Sequence, residues 1–219
     1  GRVHADTLVT RVPSADVVAI ADIFEASAKS AAEQFHVPDY STDPSELIRS
    51  SDIDAIVICS STDTHTKFII EGAQAGKQIF CEKPIAHDLA EIDNALNIVK
   101  DKGVKLQIGF NRRFDTNHMR LKQAIEAGEI GEPHMLNIIS RDPAPPPIDY
   151  IKVSGGLMMD MMIHDFDMCR FLLGEVEEVF AMADVKVDPA IGEVGDIDTA
   201  KVMLRFANGV IGTIENSRQ

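Results

Sequence analysis

The sequence predicts an α/β chain in two parts: an N-terminal parallel sheet with helices on both faces, then an α+β domain with a large, mostly antiparallel open sheet. Three observations predict it. Short apolar runs alternate with amphipathic helical stretches as far as Phe110, the rhythm changes there, and strand-like stretches cluster at the end behind a helical segment.

In order, "ADVVAIAD" (Ala15 to Asp22) reads as a strand and "EASAKSAAEQF" as a helix. "IDAIVICSS" (Ile53 to Ser61) is a near-continuous apolar run of the kind found in buried parallel strands. A helix "HTKFIIEGAQAG" ending at Gly76, a strand "KQIFCE", a helix "DLAEIDNALNIVKDKG" ending at Gly103 and a strand "KLQIGF" follow. Strands separated by helices imply right-handed βαβ crossovers. The domain boundary is placed at Gly109, dividing the chain into 1–109 and 110–219. Beyond it come a charged helix from Thr116 to Gly128, a strand "PHMLNIISRD", and "PAPPPIDY", whose prolines exclude regular helix or central strand. "GGLMMDMMIHDFDMCRF" (Gly155 to Phe171) reads as one helix, and "VEEVFAMADVKV", "DTAKVMLRFA" and "GVIGTIENS" as strands. Asn208-Gly209 between the last two is a hairpin signal.

A net charge of −14 repels phosphate backbones and anionic lipid, which argues against nucleic acid and membrane surfaces as partners. No apolar run approaches the roughly 18 residues of a membrane span. The N-terminus "GRVHADTLVT" lacks the apolar region of a signal peptide, so the expected compartment is the cytoplasm. Cys59, Cys81 and Cys169 lie far apart with no CxxC pair and read as free thiols in a reducing compartment. His4, His36, His65, His87, His118 and His134 show no metal-ligand spacing, and no metal is expected.

An acidic residue closing the second strand of a dinucleotide fold binds ribose hydroxyls about 20 residues after the glycine fingerprint. Asp22 closes "VVAIAD", and Gly1 stands where the third glycine of that fingerprint would fall. The Asp22 carboxylate would repel a 2′-phosphate and no Arg follows in "DIFEAS", which points to NAD rather than NADP. Ser60, Ser61 and Thr62 fall at a strand's carboxyl end, where such folds bind ligands; local helix capping around Asp63 and Thr64 explains the same residues equally well. Lys83, between Glu82 and Pro84 at the end of a buried strand, is either a solvated turn residue or a cation aimed at a developing alkoxide.

On a helix, Asp160, His164 and Asp167 at i, i+4 and i+7 form one polar stripe flanked by Met158, Met159, Met161, Met162, Ile163, Phe166 and Met168. The stripe is either a satisfied structural network or the wall of a cavity. In the second case His164, of a residue type whose unperturbed pKa is near 6.5, suits a general base. Arg112 and Arg113 are either interdomain ion-pair residues or, with Asn111, part of a pocket. Asp142 and the prolines after it form a stiff loop suited to binding at low entropic cost. Tyr150 reads as packing.

Taken in order, "GRVHA", "VVAIAD", "CSSTDTH", "EKP", "GFNRRFD" and "GGLMMDMMIHDFDM" resemble the Gfo/Idh/MocA oxidoreductase family, with "SRDPAPPPIDY" and "DMMIHDFDM" closest to its inositol dehydrogenase branch. The resemblance implies a Rossmann domain followed by an α/β substrate-binding domain, and hydride transfer between NAD and a cyclic polyol. The expected reaction is oxidation of myo-inositol to 2-keto-myo-inositol, in a homotetramer. It places the family's catalytic lysine on Lys83 and its Asp-x-x-x-His pair on Asp160 and His164. By the same resemblance Gly1, Asp22, Ser60, Ser61, Thr62, His65, Glu82 and Lys83 contact NAD, and Asn111, Arg112, Asp142, Asp160, His164 and Asp167 contact substrate. His4 would lie near the pyrophosphate or simply pack. Another sugar or sugar-acid dehydrogenase, and a sugar- or NAD-responsive binding protein without turnover, are the alternatives. The resemblance also implies a strand and two glycines ahead of Gly1 and further sheet after Gln219, so that the 219 residues alone are expected to bind NAD poorly.

Overall fold

A computed structural model describes residues 1–219. The chain forms two compact units, Gly1–Gly109 and Phe110–Gln219.

In the first unit, α1 (Arg2–Arg11) and β1 (Ala19–Ala21) precede α2 (Glu25–Phe35), β2 (Asp39–Ser41), α3 (Pro44–Arg49) and β3 (Ala55–Ile58); α4 (His65–Gln74), β4 (Gln78–Cys81), α5 (Leu89–Lys102) and β5 (Leu106–Ile108) complete it. Local chemistry sets the ends. Asp88 caps α5 through the Glu91 N–H, Gly103 stops it in the left-handed region, and Asp43 caps α3 with Pro44 in the first turn. Every strand pairing is parallel, as the alternation of strand and helix requires. The expected parallel Rossmann-type sheet is present in two pieces: β1 pairs with β2, and β3, β4 and β5 pair in that order. Sheet continuity needs a strand about 4.8 Å away on each side, and β1 and β3 each carry a partner on one side only. Ile69, Ala73, Ile79, Cys81 and Ala95 form the core between helices and the larger sheet, and Ala31, Ala32, Phe35 and Val37 a smaller one under α2.

The second unit holds α6 (Thr116–Glu126), β6 (Met135–Arg141), α7 (Ile148–Ser154), a π-helical turn (Met158–Met162), α8 (Ile163–Leu173), β7 (Val176–Asp184), α9 (Pro189–Glu193), β8 (Thr199–Phe206) and β9 (Ile211–Ser217). Its sheet runs β6-β9-β8-β7, with β6 parallel to β9 and the other two pairings antiparallel. Gly209, at φ 86°, makes the β8–β9 hairpin with Asn208. Alternation in β8 buries Ala200, Val202, Leu204 and Phe206 against Leu157, Met162 and Cys169 of the helical layer.

Two elements differ from expectation. The exclusion of helix from this stretch does not hold up to Tyr150: the proline run ends at Pro147, the N-cap position, and α7 starts at Ile148. The segment from Gly155 to Phe171 is not one α-helix but a π turn running into α8. Gly155 and Gly156, at φ 84° and 73°, close α7 ahead of it. A Cβ on Gly156 would collide with the Asp196 carboxylate, the group that accepts the Leu157 N–H. No helix is long and apolar enough to cross a membrane.

Candidate active site

In the first unit the predicted cofactor residues gather at the carboxyl ends of the parallel strands. Asp22 directly follows β1, and its Oδ1 accepts the Phe24 N–H at 2.9 Å. After β3, the Ser60 and Thr64 hydroxyls lie 2.6 Å apart and Thr64 Oγ1 donates to the Ser61 carbonyl, which fixes a 3-10 turn over Thr62–Thr64. His65, expected against the cofactor, is held within the protein. It is fully buried, with Nδ1 at 2.8 Å from the Pro84 carbonyl and Nε2 at 3.1 Å from that of Ser60, so it ties the β3 end to the turn containing Lys83. The Lys83–Pro84 peptide is cis. Glu82 Oε1 lies 2.6 Å from His4 Nε2, and the His4 ring packs on Phe80, which gives His4 a partner within the protein. A Cβ on Gly109 would meet Glu82 Oε2 at 2.7 Å, so only glycine lets the carboxylate approach there. Gly1 caps α1, its carbonyl accepting the Ala5 N–H at 3.0 Å.

In the second unit a cavity of about 470 Å³ is lined by Arg112, Ile139, Ser140, Arg141, Asp142, Asp160, Met161, His164 and Arg218. Four of the predicted substrate residues, Arg112, Asp142, Asp160 and His164, line it together; Asn111 and Asp167 do not. Asn111 is exposed at the start of a 3-10 turn. Asp167 is turned away into a forked ion pair with Arg113, whose Nε sits 3.0 and 2.8 Å from its two oxygens. The stripe is therefore interrupted, because the π turn holding Asp160 changes the angular step between it and α8. Arg112 and Arg113, expected as interdomain pairs or pocket residues, pair inside this unit with Asp165 and Asp167.

Tyr150, expected as packing, donates its hydroxyl to Asp160 Oδ1 at 2.8 Å. Burial, with the hydrogen bond and charge of Asp160 adding to it, pushes the Tyr150 phenol up to about 12, while Arg218 pulls it down. A titration at 295 nm tests this. The chain has two tyrosines and no tryptophan, so in a Tyr40→Phe background the tyrosinate signal belongs to Tyr150. Its midpoint is expected at about 12 and to fall toward the unperturbed value of ~10 in Asp160→Asn. A midpoint unmoved by that change would show that Asp160 does not hold the phenol.

Three polar residues of this cavity escaped the sequence reading: Ser140, Arg141 and Arg218. A fourth, Asp165, lies wholly buried behind it, accepting from Arg112, from Ser140 Oγ at 3.0 Å and from Asn216 Nδ2 at 2.7 Å. A signal for Arg218 was present. Gly212, Ile214, Asn216 and Arg218 share the buried parity of "GVIGTIENSR", and a strand pattern that puts Asn and Arg on a core face marks a polar site. No group of three or more His, Cys, Asp or Glu side chains is arranged to hold a metal ion.

Parallel strands with an acidic strand end in one unit, and a carboxylate–histidine cavity beside a mixed sheet in the other, are the parts of a two-domain α/β oxidoreductase. Residues 1–110 match the oxidoreductase family with an NAD-binding Rossmann fold, and residues 118–219 match the GFO/IDH/MocA C-terminal domain. The chain belongs to the Gfo/Idh/MocA family. It is 50% identical over its whole length to a myo-inositol 2-dehydrogenase of Thermotoga maritima, covering 66% of that protein. Among solved structures, a myo-inositol dehydrogenase from Corynebacterium glutamicum superposes with a TM-score of 0.93 at 39% identity, over 100% of this chain and 65% of that one. A scyllo-inositol dehydrogenase from Lactobacillus casei, solved with NAD(H) and scyllo-inositol, gives 0.90 at 28% identity, over 99% and 66%. The chain thus spans just under two thirds of the length of these relatives.

Proposed function

We propose that the protein oxidises a cyclic polyol, first of all myo-inositol to 2-keto-myo-inositol, with NAD as hydride acceptor. The observation that carries this reading is the charge balance of the cavity. Each of its three guanidinium groups is compensated: Arg112 by Asp165, Arg141 by Glu215, and Arg218 by Asp160 and Asp142. A sugar acid would find no surplus cation on this wall, whereas a neutral polyol finds carboxylates and donors for its hydroxyls. That favours the polyol over the sugar-acid alternative, and the names of the relatives agree.

In this reading an imidazole nitrogen of His164 takes the hydroxyl proton as hydride leaves carbon, and Asp160 balances the charge that builds on the ring. Lys83 supplies positive charge to the alkoxide. Arg112 and Asp142 bind hydroxyls. Asp22 would hold the ribose diol of the coenzyme, and Gly1, Ser60, Ser61, Thr62 and Glu82 would supply its further contacts. NAD, when bound, supplies the hydride acceptor. A pure binding protein has no use for a base, and this argues for turnover.

The finer expectations of a homotetramer in the cytoplasm fit an exposed sheet face carrying Met135, Phe180, Met182, Met203 and Ile211, and three thiols free of disulfides. A panel of inositol isomers, hexoses and hexuronic acids with NAD and NADP tests the assignment. The expected outcome is NAD-dependent turnover of an inositol with sugar acids at least tenfold poorer in kcat/KM, a margin of ~1.4 kcal/mol. Preference for a sugar acid would refute it.

A further inference from the structure

We propose that Arg218 is a positioning residue that sets the catalytic carboxylate: its guanidinium locks Asp160 to the loop that begins at Asp142. Arg218 is 2% exposed, the largest fully buried side chain of the protein. Its Nη1 stands 3.3 Å from Asp160 Oδ2 and 3.7 Å from Asp142 Oδ2, between the two carboxylates. Its Nε and Nη2 are buried with no acceptor. Such unpaired donors on a buried cation are costly, and an aliphatic side chain in that place would avoid the cost. Fold stability therefore gives a poor account of the residue, and holding two anions in a cavity gives a better one.

The topology explains how one side chain reaches both. The parallel β6–β9 register pairs Arg141 with Ser217, and the Asp142 N–H donates to the Ser217 carbonyl at 3.1 Å, so Asp142 and Arg218 leave the sheet side by side. Asp160 approaches from the π turn and is fixed from the other side by the Tyr150 hydroxyl. Oδ1 is thus held by Tyr150 and Oδ2 by Arg218, which determines the orientation of the carboxylate in the cavity.

The inference rests on the proposed dehydrogenase reading for its kinetic consequence but not for its geometry, and the test separates the two. Arg218→Lys keeps a cation able to sit between the carboxylates; Arg218→Gln removes it. With the protein holding NAD and saturating polyol, kcat is expected to fall about 10²-fold in the Gln variant, the scale of a misplaced catalytic group. The Lys variant is expected within about tenfold of the parent, and KM for NAD unchanged in both. In the Tyr40→Phe background the emission of Tyr150, which is sensitive to the carboxylate bonded to its hydroxyl, reads the position of Asp160 without any substrate. It is expected to change in Arg218→Gln and to return toward the parent in Arg218→Lys. A folded Gln variant with parental kcat overturns the proposal, as does loss of kcat by the same factor in both variants with Tyr150 emission unchanged. If the whole parent protein, shown to hold NAD, oxidises no polyol, the dehydrogenase reading falls, and the emission of the two variants still decides whether Arg218 holds Asp160.

Discussion

Replacing His164 by Ala is expected to lower kcat for polyol oxidation by about 10²- to 10⁴-fold, the range of a positioned general base, while polyol binding stays measurable by calorimetry. His164 stands in the first turn of α8, on the cavity wall with Asp160 and Arg112. The substitution leaves the pairs Arg112–Asp165 and Arg113–Asp167 on neighbouring elements in place, so the fold is expected to persist. Loss of turnover with binding retained identifies the base. Unchanged turnover would mean that another group takes the proton.

Asp165→Ala carries the largest expected effect on stability. The Asp165 carboxylate is wholly buried and joins Arg112, Ser140 on β6 and Asn216 on β9. Its removal strands a guanidinium and two polar partners. Breaking a buried pair in this way costs about 3–5 kcal/mol. Arg112 remains about a third exposed and can rehydrate in part, which places the expected cost near the lower end, about 3 kcal/mol. For a chain of this size that is a fall in Tm of roughly 6–12 °C, read by calorimetry. KM for polyol should rise as well, because Arg112 and Ser140 line the cavity. Asp165→Asn, which can still accept from Ser140, is expected to lose less. A Tm within about 2 °C of the parent in the Ala variant would show that the network does not bear on the fold.

How much of the site was legible follows from the range of each interaction. Asp160 and His164 could be picked out because a carboxylate and an imidazole among methionines violate the composition of a buried segment, and that violation is local. Asp167 shows the same signal, yet its partner is Arg113, 54 positions away, and nothing in the spacing tells a pocket carboxylate from one consumed by an ion pair. Tyr150 could not be read because its role depends on the π turn, and the backbone hydrogen bonds of a π turn are decided by packing rather than by residue type. His65 looked like an edge residue beside Ser60, Ser61 and Thr62, and only the return of the chain at Pro84 shows it to be enclosed.

By itself the sequence determined the alternation of strands and helices, the hairpin at Asn208-Gly209, and the presence of a polar site in an apolar segment. These depend on periodicity and on the conformational preferences of single residues, which act over a few positions. Only the tertiary structure decided that Asp167 and Asp165 serve arginines, and that Arg218 meets Asp160 across 58 positions. The reason is physical: a charge buried in a core selects its partner by distance in space, and distance in space is set by the β6–β9 register rather than by spacing along the chain.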